Sequence, residues 1–272
     1  MFKQKKIFLG LLIIIVLSAV GCNNAFEKLR LSTDTELRMK KAFEFYEQGE
    51  YLKSQYLLED LIGEVRGTDS AEKVYFFYAY THYHLQNYTF ASYYFKQFSS
   101  TFPHGEYAED ALYMSADAYY KLSPNYRLTQ EDTESAVEGL QMFVNSYPES
   151  SKVDSSNQLI DRLRAKLELK SLEGAKGYYH RKRYKAAQHI FTSLLVDYPD
   201  SKNAEYIRYM IIKSANKYAQ ESVLSKQVER YEETLDAAKQ FTNRYTESKY
   251  LNEVENIKTT ATNKIKKIRN EL

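Results

Sequence analysis

Few residues in this chain have the type and placement for chemistry. The one cysteine, Cys22, has no partner for an intrachain disulfide and no companion thiol for a metal cluster. His82 and His84 stand two apart, which on a helix turns them to different faces and makes poor metal geometry. Glu59-Asp60, Glu131-Asp132 and Glu232-Glu233 lie among polar residues and read as solvated helix faces rather than a catalytic dyad. There is no HExxH, no P-loop, no GxGxxG after a strand and no GxSxG. Nothing nominates a nucleophile or a general acid, so no enzyme, cofactor or metal is expected. What remains is aromatic: 26 tyrosines and 14 phenylalanines, side chains suited to binding and packing.

The elements that must position those rings show in one stretch, YYHRKRYKAAQHIFTSLLVDYPDS (178–201). Ala187, Phe191 and Leu194 share a helix face, and Pro199 lies just beyond, where a helix stops. Ala175, Tyr178 and Tyr179 belong to a preceding helix, with Tyr184 near the turn. This is the spacing of a tetratricopeptide (TPR) repeat. The same punctuation recurs as Phe102-Pro103-His104-Gly105, Tyr147-Pro148-Glu149-Ser150 and Tyr245-Thr246-Glu247-Ser248. In each, an aromatic closes a helix and a small residue stands ready to cap the next. The faces before them are Ala91-Phe95-Phe98, Ala136-Leu140-Phe143 and Thr234-Ala238-Phe241; an earlier unit has Ser54, Leu58 and Leu61. First helices carry Ala42, Ala79, Ala116, Ala175 and Ala215 at one position. Five units are expected, at roughly 35–68, 72–105, 106–150, 151–201 and 202–248. Insertions fall near Ser123–Glu131 and Glu221–Glu229, and a charged terminal helix over 249–272 caps the array. The fold class is all-α, a TPR-like superhelix of about five helical hairpins.

The N-terminus reads differently. Three lysines in residues 1–6 precede the apolar run Ile7–Val20, long enough for a signal h-region and short of a bilayer span. Small residues then lead to Cys22 in LSAVGC. Ala19-Val20-Gly21-Cys22 resembles a bacterial lipobox, in which leucine usually stands at the place of Ala19. That resemblance implies cleavage before Cys22, its acylation and anchoring in a membrane. Asn23 is not the aspartate associated with inner-membrane retention, which points to the outer membrane. Domain limits follow as 1–21 signal, 22–34 tether, 35–150 N-terminal units and 151–272 C-terminal units. The formal net charge is only +2, too little basic surface for a nucleic-acid partner.

In a TPR array the first helices line the concave face. Their groove positions give Met39, Phe43 and Tyr46; Phe76, Tyr80, Tyr83 and His84; then Tyr113, Asp117 and Tyr120. Such a floor holds apolar or aromatic side chains of an extended peptide and offers hydroxyl hydrogen bonds. Lys73 and Lys121 stand where a terminal carboxylate or acidic group would meet the rim.

With lipobox, repeats and punctuation together, the mature chain resembles the BamD (ComL) family of outer-membrane β-barrel assembly lipoproteins. The resemblance is closest at AEDALYMSADAYYKL (108–122) and FVNSYPESSKVDSSNQLIDRLRAKLELKSLEGAKGYY (143–179). It includes Tyr113-Met114, the insertion after that helix, Tyr147–Ser150, Arg162-Leu163, Tyr178-Tyr179 and Tyr198–Asp200. It implies a non-enzymatic scaffold at the outer membrane, facing the periplasm. The C-terminal units would dock periplasmic domains of the barrel-forming assembly protein. The N-terminal groove would take C-terminal segments of unfolded outer-membrane proteins, with other assembly lipoproteins as further partners. Lys185–Leu195 carries no arginine where a salt bridge to the barrel protein is expected, so the docking residues stay open. The alternatives are a periplasmic TPR lipoprotein serving envelope or peptidoglycan machinery, and a glycan-binding lipoprotein paired with a transporter. The latter usually needs a longer chain.

Overall fold

Small residues recurring at one helical position let neighbouring helix axes approach, and large rings fill the space beside them. The structure, a computed structural model, describes residues 25–271. The signal segment, the lipobox and Cys22 lie outside the described residues. After a short helical stretch at 25–30 come α1 (Thr35–Glu47), α2 (Tyr51–Ile62), α3 (Ala71–His84), α4 (Tyr88–Thr101), α5 (Ala108–Leu122) and α6 (Glu131–Ser146). They are followed by α7 (Val153–His180), α8 (Tyr184–Asp197), α9 (Ala204–Gln220), α10 (Leu224–Arg244) and α11 (Leu251–Glu271). No strand occurs among the described residues. The chain is all-α.

These helices form two compact units. The first takes the chain up to Pro124 together with Gln130–Leu163; the second takes Asn125–Thr129 and the chain from Arg164. The division falls inside α7, beyond the 150/151 limit read from the sequence. The first unit stacks the hairpins α1–α2, α3–α4 and α5–α6 with the opening turns of α7. The second joins the rest of α7 with α8, then α9 with α10, and ends on α11.

Every repeat face named from the sequence is inside. Ala42, Ala79, Ala116, Ala175 and Ala215 are buried on the first helices. Phe95 and Phe98, Leu140 and Phe143, Phe191 and Leu194, and Ala238 and Phe241 are buried on the second. Each fully buried phenylalanine contributes about 1.5–3 kcal/mol. The α5–α6 approach is close enough that a Cβ built on Gly139 would lie 2.9 Å from the Ala116 Cβ, so glycine is required there.

Three hairpins turn in one way. Gly49, Gln86 and Lys182 adopt positive φ, and the next N–H donates back to a carbonyl five residues earlier: Glu50 to Phe45, Asn87 to His82, Arg183 to Tyr178. These are Schellman ends, which satisfy carbonyls the helix leaves unpaired. The joints between hairpins share a second device. The Ser150 hydroxyl donates to Glu109 at 2.6 Å, that of Ser201 to Glu168 at 2.6 Å, and that of Ser248 to Glu205. Each serine oxygen also accepts the N–H two residues on, from Lys152, Asn203 and Tyr250. The small polar residue expected to cap the next helix thus also ties it to the previous first helix, in the first turn at Glu109 and Glu205 and midway along α7 at Glu168. At the fourth joint Gly105 stands in place of serine. There Glu72 occupies the space of the missing side chain and accepts the Tyr107 N–H at 3.0 Å.

Two stretches differ from expectation. The extra residues near 221–229 lengthen α10 instead of looping out, because Val228, Tyr231 and Leu235 continue an apolar stripe against Ile265 and Ile268 of α11. Residues 25–30, assigned to a tether, are helical: Phe26 and Leu29, one turn apart, pack on the core of the first unit, and Arg30 bonds Asp60.

Candidate functional site

The periodicity of α3 places Tyr80 and Tyr83 on one face with His84 beside them, and α1 presents Phe43 and Tyr46 toward it. The rings meet in a chain. Phe43 lies edge-on to Phe77 at 5.3 Å, Phe77 to Tyr46 at 4.8 Å, and Tyr46 to His84 at 5.5 Å. His84 stacks on Tyr51 at 4.1 Å and, more loosely, on Tyr80 at 5.9 Å. Tyr80 continues to Tyr83 at 6.4 Å. Edge and offset contacts of this kind suit ring quadrupoles and hold each plane at a fixed angle.

Polar atoms are threaded through the rings. The Tyr46 hydroxyl is 3.0 Å from His84 Nε2, and the Tyr83 hydroxyl donates to Asp117 Oδ2 at 2.5 Å. Burial pushes the Tyr80 hydroxyl up to about 12, helped by the charges of Asp110 and Asp117 and by Tyr113. Burial likewise raises Tyr46 and Tyr83, the latter with the Asp117 bond adding, and it lowers His84. At neutral pH the surface therefore offers neutral hydroxyls and a neutral imidazole. Two charges stand at its ends. Lys73 Nζ lies 4.5 Å over Phe43 and 5.9 Å from Phe77, an attractive cation–π placement, and it makes no ion pair among the described residues. Asp117 has the Tyr83 hydroxyl and, among the described residues, no cation.

Of the eight residues proposed to line the groove, five form the ring chain, Phe43, Tyr46, Tyr80, Tyr83 and His84, and Tyr113 packs on the same cluster as Tyr80 and Tyr83. Tyr113 stands one turn from Asp117, with its ring edge-on to Phe143 at 5.3 Å and Lys152 over it. Tyr120 packs instead beside the Leu140–Ile160 cluster, with Lys121 5.6 Å over its ring. Phe76 is core: it is 5 % exposed, stacked on Tyr107 at 4.4 Å and packed against Phe95 and Phe98. It supports Tyr80 from below. The sequence reading missed Phe77 and Tyr51. Neither occupies a usual groove position, and the only signal for Phe77 is its place in the run Tyr75–Tyr78.

His82 sits on the opposite side of α3, as the spacing required. It is buried between Tyr94 (5.0 Å), Tyr78 (4.9 Å) and Phe90 (5.5 Å), and neither ring nitrogen has a hydrogen-bond partner. Burial pushes it down to about 4. No group of three or more His, Cys, Asp or Glu among the described residues could hold a metal ion.

The second unit has a tyrosine cluster of its own. Tyr209 stacks on Tyr250 at 4.2 Å, its hydroxyl donates to Glu253 at 2.5 Å, and Lys213 reaches both Tyr209 (3.0 Å) and Glu253 (2.9 Å). Burial opposes the charge on Lys213, but the bonds it donates to Tyr209 and Glu253 outweigh it and raise its pKa; Glu253 is lowered by the bonds it accepts from Tyr209 and Lys213.

Set against known proteins, residues 33–200 and 165–272 match the family YfiO, described as "Outer membrane lipoprotein". The chain belongs to this family. YfiO proteins are BamD-like, so the resemblance read from the punctuation and the long α7 holds, and the chain is an outer-membrane lipoprotein of the β-barrel assembly type in general. No helix among the described residues is long and apolar enough to cross a membrane. No curated protein matches the chain. Three solved structures are similar in part. The TPR2AB-domain:pHSP90 complex of yeast Sti1 has 14 % identity and TM-score 0.38, covering 84 % of this chain and 98 % of that one. The TPR protein TTC0263 of Thermus thermophilus has 17 % and 0.32, covering 78 % and 97 %. Apo RapI has 14 % and 0.39, covering 92 % and 93 %. At such scores they add nothing to the family assignment.

Proposed function

We propose that this YfiO-family chain is a non-enzymatic scaffold of the outer-membrane β-barrel assembly machinery. On this reading it is anchored through acylated Cys22 and faces the periplasm. The first unit receives C-terminal segments of unfolded outer-membrane proteins, and the second docks periplasmic domains of the barrel-forming assembly protein. The observation that carries the reading is the ring surface from Phe43 to Tyr83 with an uncompensated charge at each end. An extended segment with aromatic side chains can lay them between Phe43, Tyr46 and Tyr80. Its terminal carboxylate meets Lys73, and a donor upstream meets Asp117. Binding of this kind needs no chemistry from the protein, only rings held at fixed angles, and fixed rings lose little entropy on contact.

Isolation of the lipidated protein from membranes tests the scaffold role. A large β-barrel protein should copurify with it, and do so through residues 164–271. Recovery of the chain with peptidoglycan-associated proteins and no barrel protein contradicts the reading.

A further inference from the structure

The path of the chain into the first unit fixes where that unit stands. Phe26 lies edge-on to Phe45 at 5.9 Å and Leu29 joins the same core. Arg30 grips Asp60 with two bonds, 2.6 and 3.3 Å, and lies 5.4 Å over Tyr56. The chain is therefore bound to α1 and α2 from residue 26 onward. Only three residues lie between Cys22 and Phe26, a span of about 14 Å at full extension. The headgroup layer of one leaflet is about 5–8 Å deep. A lipid on Cys22 leaves this end of the unit no room to stand away from the bilayer.

The surface at that end has the composition an interface selects. Leu31 is 79 % exposed, Leu52 51 % and Tyr56 39 %. Leu52 and Tyr56 are one turn apart on α2, and Arg30, with Tyr56 beneath it, leads directly into Leu31. Lys53 extends its stem over Phe45, with Nζ 5.2 Å from the ring and paired with Glu50 three residues before it. Leucines beside a tyrosine, with cations on long stems among them, match the boundary between acyl chains and headgroups.

We infer that Leu31, Leu52 and Tyr56, with Arg30 and Lys53, form a second membrane contact that seats the first unit on the lipid surface. It rests on acylation of Cys22, and it adds a fixed stance to that anchor. The occupant is the lipid leaflet itself; docking of a protein at this face is the competing outcome.

The chain contains no tryptophan, so single tryptophans report without background. Leu31→Trp and Leu52→Trp, with Val196→Trp in the second unit as control (Val196 is 75 % exposed), are made in the full lipidated chain. All three are reconstituted in phosphatidylethanolamine–phosphatidylglycerol vesicles with brominated acyl chains. Circular dichroism checks folding, and flotation checks anchoring. The inference predicts blue-shifted, quenched emission from L31W and L52W and unquenched emission from V196W. Floating protein with all three unquenched overturns the membrane contact and leaves the lipid anchor standing. Protein that does not float removes the anchor, and the contact with it. Unquenched L31W and L52W that shift only when the barrel-forming protein is added give the face to a protein partner and overturn the inference.

Discussion

The two tyrosine clusters, one in each unit, use the same side chains to different ends. In the second unit Tyr209, Lys213 and Glu253 satisfy one another: one cation, one carboxylate and one hydroxyl within 3.0 Å. In the first unit the Tyr83 hydroxyl donates a hydrogen bond to Asp117, but among the described residues no cation pairs with Asp117 and no anion with Lys73. A closed set of charges has little to gain from a ligand. An open set gains hydrogen bonds and charge pairing that water only partly supplies. The comparison teaches that aromatic content alone does not separate the two clusters; what separates them is charge left without an opposite charge among the described residues.

Substitutions can break this comparison, and the largest effect belongs to the support beneath the first cluster. Phe76→Ala should cost about 3–5 kcal/mol, because a buried ring is replaced by a cavity. Chemical denaturation should show it, and an unchanged midpoint would return Phe76 to the groove. His82→Phe comes next and acts in the other direction. It fills the same space without two unpaired nitrogens, each costing about 1–3 kcal/mol when buried. It also removes a pH dependence. His82 is held below its ordinary 6.5 at about 4, so the unfolded chain takes up a proton that the folded one refuses. Stability from this site is full above 6.5 and is lost as pH falls toward 4, with a slope approaching about 1.4 kcal/mol per pH unit. Melting temperatures of H82F across that window should be flatter than those of the parent; equal slopes would show that His82 is not the group responsible.

Glu253→Gln should have a smaller effect, about 1 kcal/mol, because the Lys213–Glu253 pair is partly exposed and screened. The lowered pKa of Glu253 means that its contribution is present above the ordinary carboxylate range and fades as pH falls through the lowered value. The test is paired: E253Q should melt lower yet bind C-terminal peptides as the parent does. A loss of peptide affinity in E253Q would erase the distinction between the two clusters.

The repeat core was legible because it depends on spacing alone. Ala187, Phe191 and Leu194, or Ala91, Phe95 and Phe98, share a face in any α-helix, and the serine of each Tyr-Pro-x-Ser joint is a capping residue wherever a helix follows. The proposed binding face was legible only in part. Tyr80 and Tyr83 follow from their repeat positions. Phe76 occupies a groove position as well, but Tyr107 at the next joint stacks over it, a contact between residues 31 apart that no local pattern reveals. Tyr51 was hidden for the opposite reason. It starts α2, and only the Schellman turn at Gly49 swings it under His84. The asymmetry of charge was invisible too, since pairing of Lys213 with Glu253 spans two hairpins.

The most direct test of the account is a calorimetric titration of the full chain with an aromatic-ended barrel-protein peptide, as free acid and as amide. The account predicts that the free acid binds tighter than the amide, that Tyr80→Ala with Tyr83→Ala abolishes most of the affinity while the chain stays folded, and that Lys73→Ala makes acid and amide alike. Equal affinity of the parent and the double variant for the free acid would contradict it.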